Sequence, residues 1–224
     1  MIFDPSKPPL TDSAGLLKSV PVEAGPEIWK RATRVISSGL CDLQVNGFAG
    51  VDYNDPTLMP EEFEKSLFAM LRTGVTTCLP TVITGSEDWQ IQCFHALEAG
   101  RNASKLAQAM IPGYHLEGPF LNPEEGFCGC HPTKWMRPAT LDHFERLQEA
   151  AGGRITLVTV APEIKGVLDL IPKLVEKGIA VAIGHCNPDR DTLLRAADAG
   201  VTLSTHLGNG IAQMLPKKDN PILG

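Results

Sequence analysis

The sequence predicts an α/β protein, an incomplete (β/α) TIM-type barrel of about six of the eight β–α units. Three observations carry that expectation. From Gly39 onward, short β-branched apolar runs alternate with helical patterns. The runs are nearly continuous in apolar residues, as strands buried on both faces are. Polar residues capable of chemistry stand where the runs end, which is where a barrel places its active site.

Residues 1–38 hold Pro5, Pro8, Pro9, Pro21 and Pro26 with little apolar pattern, so an irregular leader is expected there. The repeating section, 39–224, begins with a short strand from Leu40 to Val45. Residues 60–72 place Phe63, Leu67, Met70 and Leu71 on one helical face. Pro60 suits the first turn, Glu61 and Glu62 suit the positive N-terminal end, and Gly74 stops the helix. Val75–Ile83 (VTTCLPTVI) reads as a strand. Residues 87–99 form a helix capped by Ser86, with Trp89, Cys93, Ala96 and Leu97 on one face. A strand follows at 110–116 and a helix at 141–151, opened by Thr140 and closed by Gly152. Ile155–Val160 (ITLVTV) is the next strand. The helix at 166–177 ends at Gly178, and its Pro172 implies a kink or a late start. Ile179–Ile183 is a strand, 188–199 a helix capped by Asn187 with Pro188 at its first position, and 201–207 the sixth strand. No G-x-G-x-x-G follows a strand, so a doubly wound dinucleotide-binding sheet loses support.

Composition narrows the classes further. With 43% hydrophobic and 21% charged residues, whole-chain disorder, collagen and coiled coil are excluded. The net charge of −6 speaks against bulk attraction to nucleic acid or an acidic membrane surface. MIFDPSKPPL lacks a signal peptide's pattern, and no run approaches the ~18 apolar residues of a membrane span. A soluble cytoplasmic protein with six reduced cysteines is expected. Cys128 and Cys130 form a C-x-C pair, but no second pair follows at zinc-finger spacing.

Glu117, His185 and His206 end three separate runs. A catalytic metal site takes three such ligands and keeps a fourth position open. The alternative is that each is an ordinary polar residue closing its strand. His115 shares a strand face with Glu117, either as a partner of a ligand or as a buried core histidine. Gln44 and Asn46 share a face at the first strand's end, where they orient a substrate or water, or cap the strand. Glu163 reads as a structural acceptor, His95 and His143 as surface residues, and Asp189 and Asp191 as helix-start residues. Lys217 and Lys218 make a small basic spot, read as a solvated loop with binding of an anionic group as the alternative.

Six segments bear a resemblance: DLQVNGFAGVDYND at 42–55, GVTTCLPTVIT at 74–84, HLEGPFLNP at 115–123, VTVAPE at 158–163, IGHCN at 183–187 and STHLGNG at 204–210. From about Gly39 to its end the chain resembles the N-acetylglucosamine-6-phosphate deacetylases of the amidohydrolase superfamily. The resemblance implies a metal-dependent barrel with little or none of the family's accompanying β-sandwich. It implies hydrolysis of the acetamide of an amino-sugar phosphate to the free amine and acetate. Glu117, His185 and His206 become the metal ligands. Gln44-Val45-Asn46 replaces the His-x-His of many amidohydrolases, which implies one divalent ion, zinc. Gln44, Asn46, Cys130, His131, Asn209, Gly210 and Lys217 fall at substrate-contacting positions. Gly208-Asn209-Gly210 departs from the family's Phe-Asn-Ala, and Lys217 stands where an Arg is usual and lacks its bidentate geometry. The family's proton-transferring Asp is expected beyond Gly224, so no catalytic residue of that kind is assigned and activity of these 224 residues alone is left open. An amidohydrolase for another N-acyl substrate and a non-catalytic metal- or sugar-binding remnant are the alternatives. A homodimer is the assembly the resemblance implies.

Overall fold

The computed structural model describes residues 39–209. The leader 1–38, Gly210 and Lys217 lie outside the described residues. Strand β1 (Leu40–Val45) leads through a small antiparallel hairpin, β2 (Gly47–Phe48) and β3 (Val51–Asp52), to helix α1 (Pro60–Leu71) and strand β4 (Val75–Ile83). Helices α2 (Glu87–Ala103) and α3 (Lys105–Met110) precede β5 (Tyr114–Glu117). A long segment with one 3-10 turn (Thr133–Trp135) leads to α4 (Leu141–Ala150) and β6 (Ile155–Val160). Then come α5 (Val167–Glu176), β7 (Ala180–Ile183), α6 (Arg190–Ala199) and β8 (Leu203–Ser204).

Among the described residues the main sheet has six strands in the order β1-β4-β5-β6-β7-β8. The four pairings from β4 to β8 are parallel. Strand order follows chain order without the reversal that defines a doubly wound sheet, so the architecture is a partial barrel.

Alternation along each strand divides the sheet into two faces. Tyr114, Leu116, Val158, Val160 and Val181 face the helices and join the main core with Phe63, Phe94, Phe144 and Leu174. Leu79, Leu157 and Ala182 form a separate apolar cluster on the inward face. His115 and Glu117 alternate with Tyr114 and Leu116, so both lie on that inward side. Register pairs Thr81 with His115, and Glu117 with Thr159.

Several element boundaries differ from the sequence expectation. The strand expected at 110–116 begins at Tyr114, because Lys105–Met110 is a helix capped by the Ser104 hydroxyl. Helix α5 starts at Val167 and carries Pro172 inside it, so the proline does not delay the start. Asp189, not Asn187, caps the last helix by accepting from Thr192 N–H. Asn187 instead donates its backbone N–H to Glu163. His143 is buried rather than superficial: its Nδ1 lies 2.9 Å from Glu87 on α2, and its ring packs edge-on to Phe120.

Candidate metal centre

Three strand ends converge. β5 ends at Glu117, and His185 and His206 stand just beyond β7 and β8. His185 Nε2 lies 3.4 Å and His206 Nε2 3.1 Å from the same Glu117 oxygen, Oε1. One ligand atom from each residue lies within 4.8 Å of the others. Both histidines have positive φ, 50° for His185 and 31° for His206. That conformation is uncommon for side-chain-bearing residues and turns each imidazole inward instead of continuing the strand. Their rings meet edge to face with centroids 4.7 Å apart.

The donor set fits a divalent cation. His185 donates Nδ1–H to the Phe127 carbonyl at 2.7 Å, which leaves Nε2 to face a carboxylate oxygen, as an N–H without a cation and as a lone pair with one. Two acceptors at that distance require a proton or a cation between them. Tetrahedral zinc with bonds of about 2.0–2.1 Å separates its ligand atoms by roughly 3.3 Å, close to the distances found.

Surrounding groups hold the carboxylate. Gln44 Nε2 donates to Glu117 Oε2 at 2.9 Å, which leaves Oε1 to the two imidazoles. His131 Nε2 lies 3.8 Å from Oε2, its Nδ1 is 2.9 Å from the Thr84 hydroxyl, and its ring packs edge to face on His185. Burial raises the Glu117 pKa, but the His185 hydrogen bond and the charges of His131, His115 and His185 outweigh it and hold the group at about 2. Burial pushes His115 and His131 down to about 4 against the pull of Glu117. Burial also opposes charge on His185, yet its bonds to Glu117 and the Phe127 carbonyl leave its pKa raised.

The remaining expected residues are less concentrated. Asn46 is exposed, and its backbone carbonyl accepts from Tyr53 N–H. Cys130 is exposed beside buried His131. Asn209 is exposed, and its N–H bonds the His206 carbonyl at 2.9 Å. Glu163 is a structural acceptor for Asn122 Nδ2 and Asn187 N–H. Sequence reasoning did not single out Thr81, Thr84, Thr159 or Thr205, which bond the site's histidines or one another. Their only signal was an even spacing from inward-facing residues, or adjacency to His206. A cavity of about 270 Å³ opens on this face, with Gln44, His115, Leu157, Thr205 and His206 in its wall.

No protein-family model matches the chain. Curated proteins do. The chain is 31% identical over 195 residues to N-acetylglucosamine-6-phosphate deacetylase of Bacillus subtilis (strain 168), covering 83% of this chain and 46% of that protein. It is 33% identical over 192 residues to N-acetylgalactosamine-6-phosphate deacetylase of Shewanella sp. (strain ANA-3), covering 85% of this chain and 46% of the relative. Among solved structures, a mutant N-acetyl-D-glucosamine-6-phosphate deacetylase of Mycobacterium smegmatis, in complex with N-acetyl-D-glucosamine-6-phosphate, superposes with a TM-score of 0.69 at 31% identity. That match covers 79% of this chain and 44% of the other. The chain thus spans about half the length of the relatives it matches. Sequence and fold together make the chain similar to about half of an N-acetylglucosamine-6-phosphate deacetylase.

Proposed function

We propose that the chain carries the metal-binding section of a cytoplasmic deacetylase that hydrolyses the acetamide of an N-acetylhexosamine 6-phosphate to the free amine and acetate. The convergence of Glu117, His185 and His206 on one point carries the reading. One divalent ion, zinc, suits two imidazoles and a carboxylate. When bound, such an ion supplies Lewis acidity toward the amide carbonyl and lowers the pKa of water.

The chain's own residues prepare the site for that chemistry. Phe127 fixes the His185 tautomer through Nδ1, so Nε2 remains a ligand. Gln44 occupies one oxygen of Glu117 and stops the carboxylate from rotating. His131 is held by Thr84 at Nδ1, 2.9 Å from its hydroxyl, so its Nε2 is directed toward the site, where it can face a substrate. Asn209, Gly210 and Lys217 are proposed to contact the phosphosugar, with Asn46 and Cys130 at the rim. A homodimer is proposed as the working assembly.

The galactosamine relative at 33% identity is as similar as the glucosamine relatives, so both epimers belong in the test. Calorimetric titration of the zinc-loaded chain with each N-acetylhexosamine 6-phosphate, paired with acetate detection, checks the proposal. Metal-dependent binding that is lost with the unphosphorylated sugar is expected. Binding indifferent to both metal and phosphate contradicts it.

A further inference from the structure

We propose that His115 is a positioning residue for the metal centre, acting through Thr159 and Thr205 on the strand end that presents His206. The proposal rests on the metal-centre reading and deepens it.

His115 is buried to 1% exposure on the inward face of β5, two residues before Glu117. It stands in the middle of a hydrogen-bond chain that crosses the sheet. Val45 N–H donates to Thr81 Oγ1 at 3.1 Å, and the Thr81 hydroxyl donates to the Leu79 carbonyl at 3.1 Å. With its proton committed there, Thr81 can only accept from His115, whose Nδ1 lies 3.3 Å away. Nδ1 therefore carries the hydrogen, and Nε2 is left as an acceptor. Thr159 Oγ1 donates to that Nε2 at 2.7 Å. The Thr159 oxygen in turn accepts from Thr205 Oγ1 at 2.6 Å. With the Thr81 proton given to the Leu79 carbonyl, the chain runs in a single direction. Only a histidine, with a donor on one ring nitrogen and an acceptor on the other, joins its halves.

Both ends of this chain abut the metal centre. Val45 follows Gln44, which holds Glu117. Thr205 precedes His206. Strand β8 is two residues long, and His206 has a strained positive φ of 31°. So short a strand gives little ladder to hold that conformation. Thr205 is secured instead by its N–H to the Ile183 carbonyl at 2.8 Å and by its hydroxyl to Thr159. A histidine that merely filled the core would be satisfied by any two partners. Here the partners lead to residues on either side of Glu117.

Cobalt(II) titration of the full 224-residue chain, followed by visible absorption, tests the proposal. Thr159→Val and Thr205→Val keep the side-chain shape and remove the hydroxyl. Each is expected to weaken cobalt binding about 10–100-fold, the usual loss when a ligand's outer partner is removed, and to shift the ligand-field bands. Thr159→Ser restores the hydroxyl and is expected to restore the wild-type spectrum. Tyr114→Phe, which breaks a 2.7 Å bond to Glu98 on the helix side of the same strand, is expected to leave the spectrum unchanged. Valine variants with wild-type affinity and spectrum overturn the positioning role. Wild-type chain that binds no cobalt overturns the metal-centre reading itself, a separate outcome.

Discussion

Glu117 collects the field of three imidazoles, His115, His131 and His185, in a place where burial alone would discharge it. The pH dependence of stability follows from these groups. Unfolded, His115 and His131 take up a proton near the ordinary 6.5; folded, they resist until about 4. The unfolded chain therefore binds more protons in that window, and stability is lost as pH falls through it. Glu117, held at about 2 against an ordinary 4.5, extends the loss below pH 4.5. His185 has a raised pKa and acts the other way, its contribution fading as pH rises. Three depressed histidines, buried His143 being the third, against one raised leave a net loss on acidification. Urea midpoints of the metal-free chain are expected to fall steadily between pH 6.5 and 4; a flat or rising midpoint contradicts the assigned electrostatics.

At the scale of elements, the joint between β6 and α5 offers a direct check on the packing. Gly166 has φ +86°, and a Cβ there would fall 2.3 Å from the Ala139 carbonyl oxygen. Gly178 has a similar φ of +76° but open space around it. Gly166→Ala is expected to cost about 1–3 kcal/mol and to exceed the cost of Gly178→Ala, as read from chemical denaturation. Equal costs would mean that the Ala139 contact is absent. Most elements were legible because their apolar residues repeat at helical spacing or run unbroken. Caps at Ser86 and Thr140 were legible as well, since each hydroxyl accepts the N–H three residues on. Helix α2 runs past its expected end at residue 99 to Ala103, through Gly100. That glycine serves close helix packing, since a Cβ there would meet Phe63 Cδ1 at 2.5 Å. His143 was misread because its partner Glu87 belongs to another helix. Polarity in a helical pattern carries no information about a partner across an interface.

Across the whole molecule, a barrel-type sheet brings together residues far apart in the chain. Glu117, His185 and His206 could be named in advance because parallel strands deliver their C-terminal ends to one side. The threonine chain beneath them could not, because it depends on register, with His115 opposite Thr81 and Glu117 opposite Thr159. Register follows from the hydrophobic patterns of both paired strands, not from a motif within one of them. The central claim is that these strand ends form one cation site. Metal analysis after zinc loading and exhaustive dialysis tests it most directly, on the chain and on Glu117→Gln and His206→Ala variants whose circular dichroism matches it. About one zinc per chain is predicted, falling toward none in either variant. Absence of zinc from the unaltered chain, or unchanged zinc in the variants, would contradict the claim.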